Sequence, residues 1–274
     1  MLRRRRMRTG WPLAIALVWA APTAAERMKT PPGAVLVLNI DYENGAVDDL
    51  RQGVAASPPP ATDAIRLDCT HGRRGGCALA SRLLSDSAYM SHGALRAESS
   101  SMASLPVRYS AGDVFMYRFS LMFSSDWDNR VPESGKPRVA DIVWQFKRFK
   151  GPPDMFIAAK GGGLVLRVGP KAQYNLIPAP LPLGCWIDID IKVHWAADRR
   201  GEVEVWSSIK NTATSRVRHR GPNMRNASGS SGYLKWGLYK PDDNSNFKSR
   251  EVWHDMIEVY RLRSPKPTPN EKLR

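Results

Sequence analysis

Cysteine is scarce in this chain, with Cys69, Cys77 and Cys185 the only three among 274 residues. His71 is the one further zinc-ligating residue between the first two, and no second Cys-x-x-Cys follows, which argues against a zinc site. Long apolar runs are also missing after the first 25 residues, so no later segment is able to span a bilayer. The three glycines Gly161-Gly162-Gly163 are followed by no helix start and no Lys-Ser or Lys-Thr, which excludes a phosphate-cradling loop. There is no internal repeat and no low-complexity linker. Acidic residues are few beside basic ones, 26 against 41, for a formal net charge of +15.

Part of that charge sits at the start. Arg3, Arg4, Arg5, Arg6 and Arg8 precede an apolar segment from Trp11 to Ala21 that is too short for a stable anchor. Pro22 and the small residues Thr23-Ala24-Ala25 follow, and Glu26 is the first acid. Basic start, apolar middle and small-residue end describe a secretory signal over residues 1–25, with a secreted or periplasmic product and no stable membrane insertion. Without those five arginines the formal charge is still +10. A basic exported protein meets anionic polymers, among which uronic-acid polysaccharides are favoured over nucleic acid. The oxidising compartment permits a disulfide. Cys69 and Cys77 bracket a glycine-rich loop that could close on itself and leave Cys185 over, although the other pairings stay open. One domain is expected over residues 26–263, followed by a Pro- and Lys-rich tail over 264–274 that reads as disordered.

The body reads mostly as strands. Ala34 to Ile40 is a short apolar run, while Asp113 to Phe123 and Ala140 to Phe146 are rich in aromatic and β-branched residues. Met155 to Ala159 and Leu164 to Val168 flank the triple glycine as a hairpin. From Trp186 to Trp195 the alternation is regular, with Ile187, Ile189, Ile191, Val193 and Trp195 on one face. Asp188, Asp190, Lys192 and His194 fall on the other. Glu202 to Ile209 and Glu251 to Arg261 add two more strands. Val47 to Ala56 suggests a short helix with Asp48 and Asp49 in its first turn, ended by Pro58-Pro59-Pro60. Strand following strand, with little room for helices, gives an all-β sandwich of antiparallel sheets.

Paired carboxylates are available but uncompelling. Asp188 and Asp190 stand about 7 Å apart by the strand rise, a spacing a glycosidase could use. A regular strand with no sign of a pocket favours a solvated face instead, and Glu202 and Glu204 read the same way. Asp242-Asp243-Asn244 has oxygen ligands for calcium, but a polar turn after the strand is the better account.

Three other polar faces matter more. In Tyr233-Leu234-Lys235-Trp236-Gly237-Leu238-Tyr239-Lys240, the core face is Leu234, Trp236 and Leu238. Tyr233, Lys235 and Tyr239 share the opposite face, with a gap at Gly237 that suits a flat sugar ring. In Asp141 to Lys147 the apolar face is Ile142, Trp144 and Phe146, leaving Gln145 and Lys147 opposite. In Ser91 to Glu98, read as one alternating strand, His92, Arg96 and Glu98 share a face. The combined set contains no nucleophilic Ser or Cys beside a base.

Arg96-Ala97-Glu98, then Gln145, then Lys235-x-Gly237-x-Tyr239 resembles the jelly-roll polysaccharide lyases, the group with alginate lyases, glucuronan lyases and heparin lyase I. Order and approximate spacing agree, and the resemblance spans roughly Asp41 to Tyr260. It implies a jelly roll with a concave groove, acting as a monomer on an anionic polysaccharide by β-elimination without cofactor or metal. One departure stands out. The alginate lyases have histidine two residues after the glutamine, where this chain has Lys147, and that shifts the expectation from alginate toward glucuronan. Under this resemblance Gln145 and Arg96 offset the uronate carboxylate, and Tyr239 protonates the leaving O4 oxygen. Tyr239 or His92 takes the C5 proton, and Lys147, Lys235 and Tyr233 bind flanking uronates. The competing class is a non-catalytic carbohydrate-binding protein on the same sandwich.

Overall fold

The computed structural model describes residues 28–127, 140–209, 212–225, 231–241 and 247–263. The signal segment, the tail after residue 263 and Asp242-Asp243-Asn244 lie outside them. Among the described residues sixteen strands follow one another: β1 Val35–Ile40, β2 Ala55–Ser57, β3 Ile65–Asp68, β4 Ala78–Leu83, β5 Met90–Ser91, β6 Ala94–Ser100, β7 Val114–Phe123 and β8 Asp141–Arg148 form the first half. The second half is β9 Met155–Lys160, β10 Gly163–Val168, β11 Ala172–Ile177, β12 Ile187–His194, β13 Glu202–Ile209, β14 Thr212–Arg220, β15 Gly232–Lys240 and β16 Arg250–Leu262.

They pair antiparallel into two sheets. One runs β11-β10-β9-β8-β15-β6-β2, with β5 paired to β6, and the other runs β14-β13-β12-β7-β16-β4-β3, with β1 paired to β16. Consecutive strands in space are often distant in sequence, as where β15 lies between β6 and β8. The chain is therefore the expected antiparallel β-sandwich, and its core lies between the sheets.

Aromatic residues join the layers. Trp144 of β8 and Phe119 of β7 are both fully buried, and their rings stack at 3.8 Å with an interplanar angle of 1°. Trp236 lies on the same seam, 5.8 Å from Trp144, and its indole N–H donates to the Tyr42 hydroxyl at 2.7 Å. Each such ring contributes roughly 1.5–3 kcal/mol by leaving water; the Trp236 N–H is satisfied, whereas the buried Trp144 N–H finds no partner among the described residues, which offsets part of its gain. Ile187, Ile189, Ile191, Val193 and Trp195 all turn into this core, as their alternation predicts.

Four expectations are corrected. The helix over Val47 to Ala56 is a single 3-10 turn, Leu50–Gln52, capped by the Asp49 side chain. Gly53 follows in the left-handed region at φ 72 and ends it, and β2 begins two residues later. The alternating strand from Ser91 is interrupted: His92 and Gly93 form the turn between β5 and β6, with His92 exposed at φ 51. Arg96 and Glu98 keep their parity, but His92 does not share their strand. Asp188 and Asp190 are not solvated, being 5% and 3% exposed. The Cys69–Cys77 loop and the segment before β1 cover them, so that Arg73 pairs with Asp188 at 2.9 Å and the Met28 N–H donates to Asp190 at 2.8 Å. The fourth correction concerns Ile142. A register shift between Ile142 and Trp144 against β9 places an extra residue, Val143, in the core beside Trp144. Ile142 is thereby turned to the opposite face, which it shares with Ala158, Val165 and Tyr239.

Candidate functional site

The outward face of the β11-to-β2 sheet holds a groove of about 670 Å³ lined by Arg96, Gln145, Lys147, Lys235 and Tyr239, together with Ile142, Phe156, Lys160, Val165, Arg167 and Gln173. Three strands place its centre. β15 pairs Tyr239 with Arg96 and Gly237 with Glu98 on β6, and Lys235 with Gln145 on β8. Residues that lie 47 to 137 positions apart in the chain thus meet around one carboxylate.

That carboxylate belongs to Glu98, which is 2% exposed. It accepts a hydrogen bond from the Gln145 side-chain amide. The Lys235 ammonium donates to it at 2.5 Å, and Arg96 Nε stands 3.2 Å from the same oxygen. A buried carboxylate is costly unless paired and hydrogen-bonded, and here two donors and the Arg96 cation converge on it. Glu98 in turn fixes all three, so the expected same-face pairing of Arg96 with Glu98 is present and extends to a network. One of the two Gln145 amide hydrogens faces Glu98, which leaves the other available.

Tyr239 stands beside this network. The Arg96 guanidinium lies over its ring, 4.4 Å from the centroid, while Ile142, Ala158 and Val165 pack near it. Its hydroxyl hydrogen-bonds to no described residue. Gly237 is required here for a reason other than a gap. At φ 123, an added Cβ would come within 2.2 Å of the Ala97 carbonyl oxygen, so only glycine lets β15 approach β6 at this point.

The electrostatics are one-sided. Five cationic residues and no acidic residue line the groove among the described residues. Burial, followed by the neighbouring charges of Lys235 and Arg96, holds the Lys147 ammonium below its ordinary pKa. Its ammonium donates to the Gly151 carbonyl.

Of the seven residues expected to form the site, the structure brings five to the groove: Arg96, Gln145, Lys147, Lys235 and Tyr239. His92 and Tyr233 are not among the lining residues. His92 is in the exposed turn already described, and Tyr233 is 7% exposed with its ring 5.4 Å from Phe149. Sequence reading missed Phe156, Lys160, Arg167 and Gln173. Their signal was available as alternation within β9, β10 and β11, but nothing local says which face of those strands joins the site.

The antiparallel sandwich thus carries a basic, aromatic-edged groove across one sheet. The chain belongs to the polysaccharide lyase family, whose match spans residues 62–258. The endo-β-1,4-glucuronan lyase of the fungus Trichoderma reesei has a similar structure, with a TM-score of 0.51 at 17% identity, covering 75% of this chain and 94% of that one. The PL-14 alginate lyase of Aplysia kurodai gives a TM-score of 0.55 at 11% identity, covering 84% and 100%. The binding domain of Paraclostridial Mosquitocidal Protein 1 gives 0.53 at 12% identity, covering 84% and 49%. At these identities the likeness establishes the jelly-roll fold. No curated protein matches the chain.

Proposed function

We propose that the protein is an exported lyase that cleaves a polyuronate, glucuronan or a close relative, by β-elimination. The observation that carries this reading is the assembly of Gln145, Arg96 and Lys235 around buried Glu98, with Tyr239 beside it in a groove free of acidic lining residues. A uronate carboxylate set against the free Gln145 N–H and the Arg96 guanidinium has its charge offset, which acidifies the C5 hydrogen. The Tyr239 oxygen accepts the C5 proton. The C5–H electron pair forms the C4–C5 double bond, the C4–O4 bond breaks, and the same oxygen delivers a proton to O4. His92, exposed in its turn, has no step in this sequence. Lys147 and Lys235 hold the carboxylates of flanking units.

Lysine in place of the histidine found in the alginate lyases favours glucuronan over alginate. The basic and apolar start of the chain supports export, as does the Cys69–Cys77 disulfide. The protein acts as a monomer in this reading. Incubation of the purified protein with polyglucuronate, alginate and heparin tests it, through the ultraviolet absorbance of the unsaturated product. Absorbance that rises first with polyglucuronate is the expected result. Binding without product on any of the three would make the protein a carbohydrate-binding member of the family.

A further inference from the structure

The groove continues well beyond the Glu98 network. Lys235, Gln145, Phe156, Arg167 and Gln173 occupy one row across five adjacent strands, each in register with the next. Neighbouring strands lie about 4.8 Å apart, so Arg167, two strands from Gln145, is about 10 Å away, and the whole row spans roughly 19 Å. A 1,4-linked hexuronate ring advances by a length comparable to the strand spacing of about 4.8 Å. The row therefore accommodates about four units laid across the strands.

The two ends of the row differ in how their charges are satisfied. At the near end Lys235 and Arg96 share the Glu98 carboxylate. At the far end Lys160 donates to the Gln173 side-chain carbonyl at 3.0 Å, and Arg167 donates to the Pro170 backbone carbonyl. Both partners are neutral, and no carboxylate among the described residues pairs with either cation. The half-buried Phe156 ring stands between the two ends, over a floor of Ile142, Ala158 and Val165. Such a floor suits the C–H face of a sugar ring, with the carboxylates at its margins.

We propose that Arg167, with Lys160 and Gln173, forms a second carboxylate-binding subsite that engages the uronate two units along from the one held at Gln145. This rests on the lyase reading for its assay, but the subsite itself is a statement about binding. Its consequence is a preference for chains long enough to reach both ends, and hence for cleavage within the polymer.

The test uses the full-length mature protein and its Arg167→Gln, Arg167→Lys and Lys160→Gln variants. Initial rates are measured on polyglucuronate and on size-fractionated oligoglucuronates. Loss of one charge-assisted contact, about 1.4 kcal/mol, is a tenfold change, so Arg167→Gln should raise KM on the polymer by about tenfold. The effect on kcat should be much smaller, and the KM effect should shrink as the oligomer shortens. Arg167→Lys should retain most of the affinity. A loss that is equal at all chain lengths, a loss confined to kcat, or no loss at all would overturn the subsite. Calorimetric titration with polyglucuronate separates this outcome from failure of the lyase reading. If the wild type binds but makes no product, a tenfold weaker Arg167→Gln supports the subsite while elimination is withdrawn. Equal binding by both proteins, or binding by neither, overturns it.

Discussion

Replacing Tyr239 with phenylalanine removes one oxygen from the centre of the proposed chemistry and little else. The ring keeps its contact with the Arg96 guanidinium at 4.4 Å and its packing near Ile142, Ala158 and Val165. No described residue loses a hydrogen-bond partner, so the folded state should change by less than about 0.5 kcal/mol. What disappears is the group that moves the proton between C5 and O4. General acid–base catalysis contributes roughly 10²–10⁴-fold, equivalent to about 2.7–5.4 kcal/mol of barrier, and kcat should fall by that factor. Affinity for polyglucuronate should hold, because the cations that line the groove are untouched. The assay is steady-state formation of unsaturated product beside calorimetric titration of the polymer. Undiminished turnover in the Phe variant would remove Tyr239 from the mechanism. A parallel collapse of binding would show that the hydroxyl serves recognition instead.

Lys147→Ala should show the opposite pattern, raising KM severalfold with a milder effect on kcat at saturation, as read from the same progress curves. Glu98→Gln should release Lys235 and Arg96 by removing the charge that pairs them, and leave Gln145 only a neutral amide oxygen to donate to. Those cations are 14% and 17% exposed and can turn to water, so the expected stability loss is about 2 kcal/mol, measured by denaturant unfolding, with kcat reduced by roughly 10–100-fold. His254, wholly buried, has its pKa lowered from 6.5 to about 3 by desolvation. The unfolded chain therefore binds a proton at this site more readily, and stability is lost as pH falls from about 6.5 toward 3, by about 2 kcal/mol at pH 5. Asp255, raised to about 6 by burial, acts in the opposite direction over the same range. The test is accordingly the difference between wild type and His254→Leu in urea at pH 7 and pH 5. An unchanged difference would show that His254 is not held neutral by burial.

The alternation of side chains is a property of the chain itself, because successive residues of an extended backbone point to opposite faces. Ile187 to Trp195 therefore announced a buried face, and Lys235-x-Gly237-x-Tyr239 announced a polar one. Arg96, Gln145, Lys147, Lys235 and Tyr239 were legible for the same reason, aided by their order along the chain. Alternation says nothing about partners or about interruptions. Only the long-range register sets Glu98 against Gly237 and Gln145 against Lys235, and converts separate polar faces into one network. Only the pairing of β8 with β9 creates the bulge that turns Ile142 out of the core. His92 shows the same limit, since a two-residue turn and an unbroken strand present similar local patterns until a partner strand is fixed. Asp188 and Asp190 looked solvated because their own strand is regular, whereas their burial comes from a disulfide loop and a leading segment more than a hundred residues away. Arg167 and Lys160 belong to the groove because β9 pairs onto β8 and β10 onto β9. Side-chain parity is local and readable, whereas register and covering layers arise from contacts between distant segments and exist only in the assembled sandwich.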